Sequence, residues 1–348
     1  MLISRRAALA AGVWLCVLNG AALAADPFST SPRTGPRAHV VTVHDREATE
    51  AFTPRTEHIT AMVERGIKSL TGKPTANEAW LSLVTPQDIV GIKVYSPPGP
   101  NSGTRPAVAA AVAQGLIAAG IPPKQIVVWD KSEVDLRDAG FFDLEEKLGV
   151  RVAGSSSAGY DPTNCYDTPL IGNLTWGDLE FGRTGESVGR KSYVSKLVSH
   201  ELTKIINLTP LLNHNAAGVS GHLYGLTMGS VDNTLRFEAD ATRMAKAVPE
   251  IYALPSVGDK VVLSITDALI CQYEGGQRGL LHYSTVLNQL RFSRDAVALD
   301  MLSVKELDRQ RRVTKSPYLK PNFDLYSNAA LLELGINDVT RIQVDLLK

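Results

Sequence analysis

An excess of charge of either sign is the first thing this chain lacks. Its 36 Lys and Arg residues balance 36 Asp and Glu residues, and the formal net charge is zero. The basic residues form no block, so the electrostatic footprint of a nucleic-acid binder is missing and nucleic acid is not an expected partner. Aromatic residues make up only 6% of the chain, too few for a base-stacking platform. Cysteine is scarce (Cys16, Cys165 and Cys271) and no CxxC occurs, so no iron–sulfur cluster or all-cysteine zinc site is expected. HExxH is absent, which removes the zincin pattern, and no GxGxxG follows a strand-like segment. "GPNSGTRP" lacks the lysine of a phosphate-binding loop, and in "GVSGH" His222 stands where a nucleophile elbow needs its last glycine. Beyond the N-terminus no apolar run reaches membrane length, so no span is expected once that segment is removed.

The N-terminus itself carries a targeting pattern. "MLISRRAALAAGVWLCVLNGAALAADP" has Arg5 and Arg6, an apolar run broken by Gly12, Asn19 and Gly20, and the small-residue cleavage pattern Ala22-Leu23-Ala24. Ser4-Arg5-Arg6 with Leu9 resembles a twin-arginine export signal, which would make that export machinery a partner. Ala8 stands where a bulky apolar residue is usual, and the general secretory route is the alternative. Either way, residues 1–24 read as a signal cleaved near Ala24, and the mature protein is expected in the periplasm. There Cys165 and Cys271 either form one disulfide or stay as two buried thiols; the spacing leaves both open.

Residues 25–37 are rich in Ser, Thr, Pro and Gly and read as a flexible lead-in. Residues 38–348 then read as one large α/β domain. "HVVTV", "DIVGIKVY", "QIVVWD", "LTKIINL", "KVVLSITDALI" and "RIQVDLL" are strand-like, most as continuous apolar runs. Helical patterns alternate with them, around Ile59–Leu70, in "AVAAAVAQGLIAAG" with Thr104 as expected N-cap and Pro106 in the first turn, and in "RDAVALDMLSVKELDRQRR". That alternation predicts a mostly parallel sheet with helices on both faces. Residues 154–196 break it: rich in Gly, Ser, Asp and Tyr, they read as an irregular insertion with short hairpins such as "GNLTWGDLEFG".

The segment "LLNHNAAGVSGHLYGLTMGSVDN" concentrates the unusual residues. Gly218, Gly221, Gly225 and Gly229 are spaced three, four and four apart, so a helix through them would carry a glycine ridge. Helical glycine costs about 1 kcal/mol relative to alanine, so packing or a ligand has to offset it. Close packing suits Gly225 and Gly229; approach to a ligand, with N–H groups around Ser220 offered to an anion, suits Gly218 and Gly221. His214 follows a strand end, where parallel sheets place ligands, and is a candidate metal ligand or acid/base group. His222 reads chiefly as structural, with pocket lining as its functional alternative. Lys93 and Asp130 end neighbouring strands at the same sheet edge; Lys93 suits a substrate carboxylate or phosphate, Asp130 a metal or a proton. Asp267 and Glu274 flank "ALICQY" ahead of Gly275-Gly276, a carboxylate pair suited to an acid/base, metal or other ligand site. Asp295 is expected to cap its helix and Asp300 to face solvent or a salt bridge.

Taken together, "VGIKVY", "TRPAVAAAVAQGLIAAGI", "IVVWDKSEVDLRDAGF", "KIINLTPLLNHNAAGVSGHLYGLTMGSVDNTLRF", "ITDALICQYEGG" and "FSRDAVALD" resemble the exported branch of the family called domain of unknown function 362. The family name implies no reaction. Some members carry cysteine-rich ferredoxin-like segments, and this chain has none. The histidine-then-glycine order is also distantly similar to the nickel-pincer lactate racemases. The family pattern resembles "PVLKDH…GVTGALKNL"; here Leu212 and Tyr224 replace its two lysines, Asn213 its aspartate and Gly225 its asparagine, while His214 is kept.

Two functions follow as expectations. One is an exported enzyme, with or without a divalent metal held by His214 and Asp130, acting on a small anionic molecule through Lys93, Asp130 and His214. The other is a non-catalytic periplasmic ligand-binding or maturation protein, suggested by the replaced lysines. The export signal has its own test. Under the twin-arginine reading, Arg5→Lys/Arg6→Lys leaves the unprocessed precursor in the cytoplasm on cell fractionation; processing at the wild-type rate assigns the chain to the general secretory route.

Overall fold

Continuous apolar runs need cover on both faces, and this chain supplies it with two layers of helix. The computed structural model describes residues 35, 37–276, 278–316 and 323–348; the signal expected over residues 1–24 and most of the expected lead-in lie outside the described residues. The strands in chain order are β1 (Ala38–His44), a small hairpin of β2 (Thr49–Glu50) and β3 (Thr53–Pro54), β4 (Val90–Lys93), β5 (Ile126–Asp130), β6 (Arg151–Gly154), β7 (Tyr160–Asp167), β8 (Lys191–Ser195), β9 (Lys204–His214), β10 (Gly218–Val219), β11 (Val261–Gln272), β12 (Ser284–Ser293) and β13 (Ile342–Leu347). The main sheet has nine strands in the order β13-β1-β12-β11-β9-β4-β5-β6, with β10 turned back onto β9. Within that order only β12 runs against its neighbours, so the sheet is mostly parallel, as the alternation of elements predicts.

Period-two alternation sorts side chains to the two faces. Ile92, Val128, Ile206 and Ile265 join the helices Thr56–Thr71 and Pro106–Ala118 in one core. Trp129 and Ile205 face the other way, into a core shared with the helices His222–Ser230, Ala241–Tyr252 and Ala296–Thr314. Helix Pro106–Ala118 is alanine-rich and lies close: a Cβ on Gly115 would stand 2.5 Å from Trp80 Nε1. Thr104 does not cap it. Its hydroxyl donates to Leu208 O at 3.0 Å and accepts from Tyr95 N at 2.9 Å, tying strand to strand, and the N-cap residue is Arg105.

The insertion differs from its expected form. β7 and β8 pair as a two-stranded antiparallel sheet, and the stretch between them, "GNLTWGDLEFG" included, forms turns without strands. Buried Arg236 holds it down, donating to Ser192 Oγ at 2.9 Å, Thr168 Oγ1 at 2.7 Å and Tyr166 O at 2.8 Å. Cys165 and Cys271 are free thiols. Among the described residues no helix is long and apolar enough to cross a membrane.

Candidate functional site

Helix His222–Ser230 is buried along its whole length, and the sheet beneath it is polar. Lys93, Asn207, Thr209, Ser264 and Thr266 are buried on β4, β9 and β11. Such groups need partners, because an unmatched buried polar group costs about 1–3 kcal/mol. The helix supplies several. Asn207 Nδ2 donates to His222 O at 3.0 Å, and the His222 ring lies 3.0 Å from Thr266 Oγ1 and 3.3 Å from Thr209 Oγ1. His222 is therefore a core group, its pKa pushed down to about 3 by burial.

Glycine is what lets the helix come so near. Only Gly225 and Gly229 of the expected ridge lie inside a helix; Gly218 sits in the β9–β10 hairpin at φ +89°, and Gly221 precedes the helix as its N-cap. A Cβ on Gly229 would stand 2.1 Å from Lys93 Cε and 3.2 Å from Asp130 Oδ1, so Gly229 serves close packing as expected. Gly221 does too, against the ligand-approach expectation: its Cβ would lie 2.1 Å from Asp300 Oδ1. Asp300 is 1% exposed rather than solvated, and its two oxygens accept from the N–H groups of His222 at 2.7 Å and Leu223 at 3.0 Å. Burial raises its pKa to about 7, partly offset by those two bonds. Asp295 does cap its own helix, accepting from Ala298 N at 2.8 Å.

Lys93 and Asp130 come together as the sequence implies, and close on each other. Lys93 Nζ lies 2.8 Å from Asp130 Oδ1 and also donates to Val94 O at 2.5 Å. Asp130 further accepts from Lys131 N, Ser96 N and Ser96 Oγ, each at 2.8 Å. Lys93 is 0% exposed, and burial pushes its ammonium below lysine's usual value while Asp130 pulls the other way. Both groups are buried and bonded to each other and to the surrounding backbone. His214 is not part of it. It lies seven residues beyond Asn207, the partner of Lys93 across β4 and β9, and caps a turn: its Nδ1 accepts from Ala217 N at 3.0 Å. That bond places the neutral ring's proton on Nε2. Burial holds its pKa down near 4. The joint metal role expected of His214 and Asp130 thus loses its geometry, since Asp130 spends its oxygens on four donors elsewhere. Among the described residues no group of three or more His, Cys, Asp or Glu can hold a metal ion.

Asp267 and Glu274 do not form one site either. Asp267 accepts from Arg105 N at 3.0 Å and lies 2.9 Å from Arg105 Nη1, anchoring helix Pro106–Ala118 to β11. Glu274 pairs with Arg311 at 3.0 Å, and Arg311 also donates to Tyr273 O and to Asn213 Oδ1. Ser220 is buried; its hydroxyl approaches that of Tyr95 without an aligned hydrogen bond.

A different set of side chains does line up. The His214 ring packs on Tyr224 with centroids 4.3 Å apart. Tyr224 OH donates to Glu238 Oε1 at 3.2 Å, Thr234 Oγ1 to Glu238 Oε2 at 3.2 Å, and Lys131 Nζ to Thr234 Oγ1 at 3.4 Å. His214, Glu238 and Lys131 are half-buried around buried Tyr224. Burial pushes Lys131 below lysine's usual value, while Asp178, Glu238, Asp232 and Asp130 act through space to raise it. Asp178 and Asp232 are otherwise engaged, accepting from Asn233 N at 2.8 Å and Leu179 N at 2.8 Å, which fastens the insertion beside this line. The sequence marks Lys131 only as a neighbour of Asp130; its position just after an apolar strand is the signal that separates it from a surface lysine.

Fold and site together define an α/β protein with polar side chains gathered beside the carboxyl ends of its parallel strands. The model of the family described as domain of unknown function (DUF362) matches residues 90–305, more than half of the chain, and the protein belongs to that family. A Thermotoga maritima protein with a crystal structure from a structural-genomics consortium is similar at 12% identity and a TM-score of 0.42, over 77% of this chain and 61% of that one. The chain therefore spans less than two thirds of that neighbour's length. No curated protein matches.

The closed ion pair makes a stability prediction. Lys93→Met strands a buried carboxylate and should destabilise the protein by about 3 kcal/mol in urea unfolding. Lys93→Met/Asp130→Asn should recover part of that loss. A Lys93→Met protein as stable as wild type would show the pair is not structural.

Proposed function

We propose that the chain is an exported periplasmic enzyme that performs acid–base chemistry on a small anionic molecule beside the carboxyl edge of the sheet. The observation that carries this reading is the continuous line His214–Tyr224–Glu238–Thr234–Lys131, open to solvent at both ends. Two of its members can donate to an anion, Lys131 as ammonium and His214 through Nε2–H, while the Tyr224 phenol links them through its hydrogen bond to Glu238. A lysine whose ammonium is destabilised by burial gives up its proton more readily than an exposed one, and such groups cluster at functional sites. Glu238 can take up the proton that Tyr224 or Thr234 passes on. Lys93 and Asp130 then position the edge instead of touching the substrate. Export rests on the signal pattern of residues 1–24, with the twin-arginine machinery as partner.

A non-catalytic ligand-binding or maturation role is the second reading, favoured by the two replaced family lysines. Leu212 is 0% exposed in the core, so nothing there can serve a ligand. At the other position, Tyr224 sets a phenol against Glu238, which keeps a donor where the lysine is expected.

A panel of small carboxylates and phosphates, screened by thermal unfolding and followed by NMR for turnover, separates the readings. The enzyme reading predicts a compound that raises Tm and is chemically converted. Lys131→Met should abolish the Tm shift, and Tyr224→Phe should lower kcat by about a hundredfold. Stabilisation without conversion supports the binding reading, and stabilisation undiminished in Lys131→Met places the ligand elsewhere.

A further inference from the structure

A second polar site lies away from this line, where helix Ala296–Thr314 crosses β1, β12 and β13. A cleft of about 540 Å³ opens there, within the usual size range for small-molecule pockets. Leu302, Val313 and Val344 give it apolar walls, and Arg291, Lys305 and Arg312 stand among them. Arg291 is the unusual member. It is 6% exposed, on a strand interior, between Thr42 of β1 and Thr266 of β11 in register. Its Nε and Nη2 both donate to one oxygen, Gln289 Oε1, at 3.3 and 3.0 Å. A guanidinium carries five N–H hydrogens. Two are spent on Gln289, and among the described residues no other hydrogen bond or ion pair takes up the remaining three.

The nearby carboxylate does not fill that gap. Glu306 lines the cleft, but its oxygens are taken by Arg309 Nε at 3.1 Å, Arg309 Nη2 at 2.7 Å and Gln310 Nε2 at 2.7 Å. It acts on Arg291 only through space. Asp308 pairs with Arg312 at the rim. Even with Asp308 counted, Arg291, Lys305, Arg309 and Arg312 outnumber the carboxylates by four to two. A nine-tenths buried arginine with unused donors, facing a cleft with aliphatic walls, is built to receive a planar anion joined to an apolar body.

We infer that this cleft binds a small amphipathic carboxylate, its carboxyl group on the Arg291 guanidinium and its hydrocarbon part against Leu302, Val313 and Val344. The site is separate from the line ending at Lys131, and its occupancy does not depend on the enzymatic reading.

Isothermal titration with decanoate tests it, with decanol as the uncharged control. Decanoate should bind with a stoichiometry of one and decanol at least tenfold more weakly. Arg291→Met should weaken decanoate at least tenfold; Arg291→Lys, which keeps the charge and loses the fork, should fall between. Leu302→Trp, which fills the cleft and leaves Arg291 in place, should also lose binding, so the test survives a poorly folded Arg291→Met. Lys131→Met should bind decanoate as wild type does. Absence of binding to wild type, equal affinity for decanol, or loss in Lys131→Met with retention in Arg291→Met would each overturn the inference.

Discussion

The structure depends on one close approach: a helix without bulk on its lower side, laid against a polar stretch of sheet. Lys93, Asn207, Thr209 and Thr266 are buried where an α/β core is normally apolar. They are tolerable because helix His222–Ser230 brings His222 and its carbonyl into hydrogen-bond reach and packs over Lys93. Any side chain at Gly229 would push that helix off the ion pair, and any at Gly221 would push Asp300 off the helix N-terminus. Three separate elements, the β4–β5 edge, the helix and Asp300 of helix Ala296–Thr314, are thus locked by two glycines.

That lock separates two sets of charged groups. The strand-end lysine and aspartate nearest the middle of the sheet are consumed in holding it together, and the polar line is displaced to the helix's outer side, through Tyr224 to Lys131. The insertion contributes by position, since Asp178 and Asp232 bind backbone N–H groups beside Lys131. Burial also raises the pKa of Asp232 to about 6. The same division explains how Arg291 can stand apart on β12: it lies in an outer part of the sheet that this helix does not cover.

Much of the fold was legible because buried parallel strands write themselves as apolar runs, and the amphipathic helices between them are local patterns. That Lys93 and Asp130 end at the same edge was legible for the same reason, since consecutive strands of one βαβ unit end there; that they close on each other was not. What could not be read was long-range. Asp300 looks like any acidic residue in a charged helix, and its burial depends on a glycine 79 positions earlier. Thr104 has the residue type and position of an N-cap, yet tertiary hydrogen bonds to Tyr95 and Leu208 claimed its hydroxyl. Asp267 and Glu274 are close in sequence, but Asp267 lies on β11 and Glu274 just past its end, and they meet different helices. Arg291 sits in "NQLRFS", an ordinary alternating strand in which nothing local reveals that its polar face is covered.

The central claim is that the two lysines at this edge have opposite fates, Lys93 sealed into the fold and Lys131 half-open with a destabilised ammonium. Competitive labelling of the folded protein with a trace amine-acylating reagent across pH, read lysine by lysine in the mass spectrometer, measures both properties at once. The account predicts that Lys131 reacts at lower pH than the exposed lysines, while Lys93 stays unlabelled until the protein unfolds. Lys131 titrating together with the exposed lysines, or Lys93 labelled in the folded state, would contradict it.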